Sequence, residues 1–306
     1  MSLDIRLKKI MKEIGGEKIQ FDAPMRKYTT LHVGGNAEAL YRADNLEELR
    51  EMIAFIMDKG IPYLVIGKGS NLLVKDGGLN GLAIIFEGPF SNIEQITTGE
   101  PYVSGGAGLS LQKLVSFCAE KGLAGVEFLA GIPGTMGGAV AMNAGSWGEE
   151  VKDVISEVTT LSAKGIVEKK TSASMNFTYR GLDLDRGEII LCAMLKLRLD
   201  EPASIKKRVA FNIKQRKEKF PLDMPSAGSI FKNPEGDYAG RLIDAVGLKG
   251  EKNGGAMISP MHANFIVNTG KASASDMLDL MDLAAARVKD MFNIQLVPEI
   301  KIVGKS

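Results

Sequence analysis

Cysteine and histidine are scarce in this 306-residue chain, two of each, and that scarcity removes whole classes of chemistry. Cys118 and Cys192 sit far apart in apolar runs and read as reduced core residues rather than a disulfide framework. Together with His32 and His262 they are too dispersed for a zinc-ligand pattern, so no metal site is expected. An excess of one charge is also missing: 38 basic residues against 37 acidic ones leave a net charge of +1. A nucleic-acid or membrane-surface partner therefore has no support. No stretch approaches the ~20 apolar residues of a membrane span. The opening MSLDIRLKKIMKEIGG is charged and helix-like, without the apolar centre of a signal peptide. A cytoplasmic location is expected. What is present, 45% hydrophobic and 25% charged residues, describes an ordinary globular protein with room for two or three domains.

Glycine is abundant, and it is concentrated. Gly125 to Gly145, GVEFLAGIPGTMGGAVAMNAG, holds six glycines among small or apolar residues with almost no charge. Each glycine loses more backbone freedom on folding than any other residue. Such a stretch is either a set of tight turns between core elements or a backbone that lies directly against a ligand, its N–H groups aimed at phosphate or carbonyl oxygens. A second concentration follows the short apolar strand Pro62–Ile66: GKGSNLLV, with Gly67, Lys68, Gly69, Ser70 and Asn71. Glycines permit close approach, Lys68 offers a cation, and Ser70 and Asn71 offer short donors, a plausible cradle for a diphosphate. It is not a Walker A loop, because position 62 is proline and no helix pattern follows. No window matches GxGxxG after a strand, so a Rossmann site has no support.

The remaining pattern is α+β. Leu3–Ile14 reads as a surface helix. The residues from Met25 to Leu40 read as a β-prone run that meets a turn at Gly34-Gly35. Asn45 reads as the N-cap of a helix that Gly60 stops, and Ser110 as the N-cap of another. Leu82–Phe86 reads as a strand, Ile96–Gly106 as two short strands, Val154–Ser162 and Ile166–Lys170 as a hairpin, and Ile189–Leu199 as one long strand. After Pro202 a lysine- and arginine-rich helix leads into PLDMPSAGSIFKNPEG, the third unusual stretch. Beyond it come a short helix, the β-rich AMISPMHANFIVN, a helix opened by the capping box Ser273–Asp276 and a last strand QLVPEIKIVG. The expected division is an N-terminal helix at 1–19, one domain at 20–202 and a separate α+β unit at 203–306.

YTT…GG at Tyr28–Gly35, GKGSNLLV at Gly67–Val74 and GIPGTMGGAVAMNAG at Gly131–Gly145 together resemble the flavin domain of the UDP-N-acetylenolpyruvoylglucosamine reductase family. FTYR at Phe177–Arg180, PSAGSIFKNP at Pro225–Pro234, AGRLIDAVGLKG at Ala239–Gly250 and PEIKIVG at Pro298–Gly304 fit the same family in the same order. The single-piece C-terminal unit resembles the family's shorter form. The resemblance implies a two-subdomain FAD-binding domain of the vanillyl-alcohol-oxidase/PCMH type followed by a C-terminal α+β substrate-binding domain. It also implies non-covalent FAD, NADPH as reductant, and reduction of the enolpyruvyl ether of UDP-N-acetylglucosamine to UDP-N-acetylmuramate by a monomer in peptidoglycan precursor synthesis. His32 is therefore not expected to bear a flavin link. The cofactor-binding residues implied are Ile66, Gly67, Lys68, Gly69, Ser70, Asn71 and Leu72 from one loop. The other loop contributes Gly131, Ile132, Pro133, Gly134, Thr135, Gly137, Gly138, Ala139, Asn143, Ala144 and Gly145.

The implied chemistry makes demands that these residue types meet. Hydride delivered from flavin N5 to C3 of the enolpyruvyl group leaves negative charge at C2, shared with the carboxylate. Arg180 offers a planar fork for that carboxylate. Glu299, if buried beside it and protonated, would donate a hydrogen bond. Ser229 matches the family's proton donor to C2 and needs a neighbour such as Lys232 or a water to act as an acid. Tyr179, Lys219 and Asn233 are implied substrate contacts, with Lys219 suited to a diphosphate oxygen. His262, read as part of a strand, is expected to be structural. Where the family often carries a serine shortly after the tyrosine–arginine pair, this chain has Gly181-Leu182-Asp183. Two other readings stay open on residues alone: an oxygen-dependent FAD oxidase of the same flavin fold, and a non-catalytic flavin- or nucleotide-binding protein.

Overall fold

In a computed structural model that describes residues 3–96 and 99–305, the chain divides into two compact units, each gathered from separated stretches. The first unit comprises 1–21, 39–68 and 81–214; the second comprises 22–38, 69–80 and 215–306. Thr97 and Thr98, within the expected pair of short strands, lie outside the described residues. Among the described residues no helix is long and apolar enough to cross a membrane.

The first unit has two cores. One lies where helices Ile5–Gly15 and Leu46–Asp58 cover a four-stranded sheet of order Ile19–Pro24, Asn36–Ala43, Leu79–Phe86, Tyr63–Val65. Met11, Tyr41, Ile53 and Ile84 are fully buried there. The other lies between a five-stranded sheet and helices Leu111–Lys121 and Met136–Ala141, filled by Leu114, Phe128, Val158 and Leu195. The strand order in that sheet is Val167–Thr171, Ile155–Leu161, Ile189–Lys196, Tyr102–Gly106, Ile93–Ile96, antiparallel throughout. Both cysteines are free thiols; burial pushes the Cys118 thiol up to about 12, so it stays protonated and inert.

The second unit packs helices Ala239–Ala245 and Ala274–Phe292 on a three-stranded sheet of Lys252–Asn253, Ala256–Ile258 and Ile266–Asn268. Lys301–Val303 pairs in parallel with Leu72–Val74, which is why residues 69–80 cluster with the C-terminal part of the chain.

Local signals predict the helix starts well. Asn45 accepts from the N–H groups of Glu47 and Glu48, Ser110 from Lys113, and Ser273 with Asp276 forms a reciprocal capping box. Four strand expectations are corrected. Residues 25–35 form a 3₁₀ turn and bends, because His32 and Gly34 take positive φ, which a strand cannot accommodate. Ile189–Leu199 breaks after Lys196, and Arg198–Leu199 turns away to pair with Leu123–Ala124. The last strand shrinks to Lys301–Val303, since Pro298 has no N–H for a ladder and makes only an isolated bridge with Phe231. His262 lies in the loop between Ala256–Ile258 and Ile266–Asn268, not in a strand.

At the edge of the five-stranded sheet, the Glu188 side chain is 2% exposed and pairs with Lys170 at 2.6 Å. Burial alone would raise this carboxyl, but Lys170, the Thr160 hydroxyl and the Asp185 N–H together hold it below the ordinary glutamate value. A depressed folded value means stability that is present at neutral pH and lost as pH falls through it, below ~4.3. Lys170→Met should therefore cost ~2 kcal/mol at pH 7 by leaving a buried carboxylate without its cation, held only by Thr160 and the Asp185 N–H. Denaturant titrations at pH 7 and pH 3.5 check this: the difference between wild type and variant should shrink at the lower pH.

Candidate active site

In the first unit the two glycine-rich loops lie against each other. A Cβ on Gly67 would strike the Thr135 hydroxyl, so only glycine lets the end of strand Tyr63–Val65 approach the start of the short helix Met136–Ala141. Thr135 caps that helix by accepting from Gly138 N–H. Around this contact several backbone donors are left bare. Among the described residues the N–H groups of Gly67, Lys68, Gly131, Gly134 and Thr135 donate to no protein acceptor. Gly67, Lys68 and Gly131 are exposed and their N–H groups are open to solvent or a ligand, whereas Thr135 is buried and its N–H lacks the partner that more than nine in ten buried backbone groups have. Lys68 stands exposed beside them. In the second unit Gly69 and Ser70 likewise donate to no protein acceptor among the described residues. There a Cβ on Gly69 would strike the Tyr28 carbonyl, which ties the loop to the YTT turn. Bare donors and one cation are the donor set an anionic diphosphate requires.

Asn143 is fully buried at φ +40 and spends its side chain within the protein. It donates to Glu150 Oε2 and the Thr178 carbonyl, both at 3.0 Å, and accepts from Lys152 N–H. Its side chain therefore anchors the hairpin Phe177–Thr178/Gly181–Leu182, whose two tip residues are Tyr179 and Arg180. Arg180 sits at φ +57 with its guanidinium 5.4 Å from the Tyr179 ring centroid. Its Nη1 lies 3.1 Å from where a Cβ on Gly145 would stand, beside the end of the glycine loop. Burial acts to raise the Glu150 carboxyl, but hydrogen bonds from Lys152 and Asn143, with the Lys152 and Arg180 charges, hold it below its ordinary value. Gly181 opens the hairpin's return strand; a side chain there would press on the Thr178 hydroxyl at 2.9 Å.

Glu127 was not singled out by sequence reasoning, yet it is 7% exposed and braces the glycine loop. Its carboxylate accepts from Gly125 N–H at 2.6 Å and Arg208 Nε at 2.9 Å, while its carbonyl accepts from Asn212. Burial acts to raise this carboxyl, and those donors outweigh it.

In the second unit the backbone brings two of the predicted catalytic residues together. The segment after Gly228 runs beside residues 297–300: Glu299 N–H donates to the Ile230 carbonyl at 2.8 Å, and Lys232 N–H to the Val297 carbonyl at 2.8 Å. Ser229 thus stands one residue from the group that holds Glu299. The Glu299 carbonyl in turn accepts from the Asn71 side chain at 3.0 Å. Asn233 accepts from Ala239 N–H and starts helix Ala239–Ala245, so its carboxamide oxygen is a helix cap. Lys219 is exposed at the end of helix Pro202–Lys219. His262 packs in a ring triad with Phe220 and Phe265; its buried Nδ1 has no hydrogen-bond partner, and burial lowers its pKa. Among the described residues no three His, Cys, Asp or Glu side chains are grouped to hold a metal.

Asn264 is the residue that sequence reasoning missed here. It is 3% exposed, and its side chain both accepts from Phe231 N–H at 2.9 Å and donates to the Phe231 carbonyl at 2.8 Å. A single asparagine thus fixes Phe231, two residues beyond Ser229 in the same irregular segment. Asn264→Leu should leave two buried backbone groups unpaired, at ~1–3 kcal/mol each. Thermal unfolding should shift down and turnover should fall with it. An unshifted melting curve would show that Asn264 does not hold this segment.

Comparisons with known proteins show the family and the fold. A family model described as UDP-N-acetylenolpyruvoylglucosamine reductase, C-terminal domain, matches residues 220–303, and one described as FAD binding domain matches residues 37–170. The UDP-N-acetylenolpyruvoylglucosamine reductase of Syntrophus aciditrophicus is 40% identical over 99% of this chain and 97% of its own. That of Caldanaerobacter subterraneus is 39% identical over 98% of this chain and 97% of its own. The crystal structure of the Thermus caldophilus enzyme superposes with a TM-score of 0.79 at 38% identity, over 93% of this chain and 97% of that one. A VAO-type flavoprotein of Myceliophthora thermophila, 11% identical, shares the fold alone over 64% of this chain and 48% of that one, with a TM-score of 0.51. The fold is α+β, a two-subdomain FAD-binding domain of the vanillyl-alcohol-oxidase/PCMH type with a C-terminal α+β domain. The chain belongs to the UDP-N-acetylenolpyruvoylglucosamine reductase family.

Proposed function

We propose that this protein is the NADPH-dependent flavoenzyme that reduces UDP-N-acetyl-3-O-(1-carboxyvinyl)glucosamine to UDP-N-acetylmuramate, a cytoplasmic step in peptidoglycan precursor synthesis. The observation that carries the reading is the pairing of the Ser229–Lys232 segment with residues 297–300, which sets Ser229 and Glu299 on neighbouring backbone within one unit. FAD, when bound, supplies the carrier that accepts a hydride from NADPH and passes it to the substrate. The N–H groups of the glycine-rich loops with Lys68 would hold its diphosphate, and Asn143 would contribute by fixing the loop's end. Arg180 binds the substrate carboxylate through two N–H groups and offsets the charge that grows on it as hydride arrives at C3. Glu299 donates a hydrogen bond to the same carboxylate. Ser229 delivers the proton to C2, with Lys232 or an ordered water restoring it. Tyr179, Lys219 and Asn233 orient the UDP-sugar, Lys219 as a point charge on the diphosphate.

These roles separate the two halves of the reaction. Ser229→Ala should keep flavin reduction by NADPH within a few-fold of wild type, while reoxidation by the enolpyruvyl substrate slows ~10²–10⁴-fold, the usual contribution of a positioned acid. Anaerobic single-turnover absorbance at the flavin band measures both. An equal loss in both halves would reject the assignment of Ser229.

A further inference from the structure

Asn268 closes strand Ile266–Asn268 and is 6% exposed, a buried polar side chain that the site so far leaves unused. Its carboxamide is fully specified by its neighbours. Oδ1 accepts from Gly270 N–H at 2.8 Å and from Ala272 N–H at 3.2 Å, while Nδ2 donates to the Leu31 carbonyl at 2.9 Å. Donors facing one atom and an acceptor facing the other fix which is oxygen and which is nitrogen.

The carbonyl that Asn268 reaches belongs to a strained turn. Leu31 is fully buried, and His32 after it sits at φ +56, a conformation that a non-glycine residue keeps only where its surroundings impose it. The Leu31–His32 peptide is pinned on both sides, its carbonyl by Asn268 and its N–H by the Thr29 carbonyl at 3.3 Å. This turn holds the GKGSN loop. Thr30 N–H donates to the Gly69 carbonyl at 3.3 Å, and the Tyr28 carbonyl blocks any side chain on Gly69. Gly69 and Ser70 are residues whose own N–H groups donate to no protein acceptor among the described residues.

Through its backbone the same residue grips the catalytic segment. Asn268 N–H donates to the Pro225 carbonyl at 2.9 Å, and its neighbour Val267 bridges Ser226. Ser229 stands four residues beyond Pro225. Asn268 is thus one hydrogen bond from the turn that braces the Gly69–Ser70 corner and one from the segment that leads to Ser229. A misplacement of about 1 Å between reacting groups can cost ~10²-fold in rate, so a residue that joins two such segments has kinetic consequences.

We propose that Asn268 is a positioning residue: it sets the Ser229 segment and the Gly69–Ser70 corner in one frame, and so places the proton donor relative to the flavin. The inference rests on FAD being held at that corner and on Ser229 being the donor.

The test is Asn268→Asp, which keeps the shape and the acceptor for Gly270 and Ala272 and replaces the N–H₂ that reaches Leu31. We expect the variant apoprotein to bind FAD about tenfold more weakly, the size of one buried hydrogen bond, measured as free FAD at equilibrium. With FAD saturating, reduction by NADPH should stay within about threefold of wild type, while reoxidation by the enolpyruvyl substrate slows about tenfold or more at unchanged KM. Heavy water should slow that reoxidation more in the variant than in wild type, because a misplaced donor makes proton transfer a larger share of the barrier. A lost core contact alone would not move the isotope effect.

The proposal is overturned if the FAD-saturated variant reoxidises as wild type does, whatever its melting temperature. It is overturned equally if FAD affinity is unchanged, or if both half-reactions slow alike with the wild-type isotope effect. Should Asn268→Asp yield no folded protein, the wild type decides: adding FAD to apoprotein should slow hydrogen exchange at the Asn268 N–H that holds Pro225, and unchanged exchange there rejects the coupling. Failure of Ser229→Ala to separate the two half-reactions is a different outcome, which removes the donor role on which the inference rests.

Discussion

The parallel pairing of Lys301–Val303 with Leu72–Val74 is the constraint on which the second unit's part of the proposed site depends. It brings the last ordered strand alongside the exit of the GKGSN loop, where the Asn71 side chain takes hold of the Glu299 carbonyl. Glu299 N–H then fixes Ile230, and Asn264 fixes Phe231 from the other side. Ser229 and Glu299 are thus positioned by backbone hydrogen bonds and one buried carboxamide rather than by flexible side chains. This rigidity suits groups that must meet a reacting atom within fractions of an ångström.

The first unit uses the same economy with different parts. Its glycine loop is held from behind by Glu127, whose carboxylate reaches Gly125 and Arg208, and at its far end by Asn143, whose carboxamide reaches Glu150 and Thr178. Both are buried polar residues that cost stability unless every lone pair and N–H is matched, and both are matched. The loop's own N–H groups are what stay bare. Backbone donors left open beside an exposed lysine suit an anion.

Much of this was legible in the residues, because much of it is local. Helix starts at Asn45, Ser110 and Ser273 follow from the residue and its next turn, and the glycine concentrations mark the loops before any fold is known. The motif order pointed to the family as well as to the fold. What stayed hidden is what depends on residues distant in the chain. Nothing near Leu72 announces a partner at Lys301, nor does anything near Asn264 announce Phe231. The Met25–Gly35 segment has strand-like composition, but His32 and Gly34 sit at positive φ and turn it away from any ladder. Pro298 similarly withholds the N–H that QLVPEIKIVG needs to be one strand.

The most direct test of the functional account is a half-reaction on the wild-type protein. Bound flavin is first reduced with NADPH under anaerobic conditions. Enolpyruvyl-UDP-N-acetylglucosamine is then added while the flavin absorbance is followed, still without oxygen. The account predicts that NADPH bleaches the flavin and that the enolpyruvyl sugar restores its colour with UDP-N-acetylmuramate as product. A reduced flavin that ignores the sugar and is reoxidised only when oxygen is admitted would contradict it.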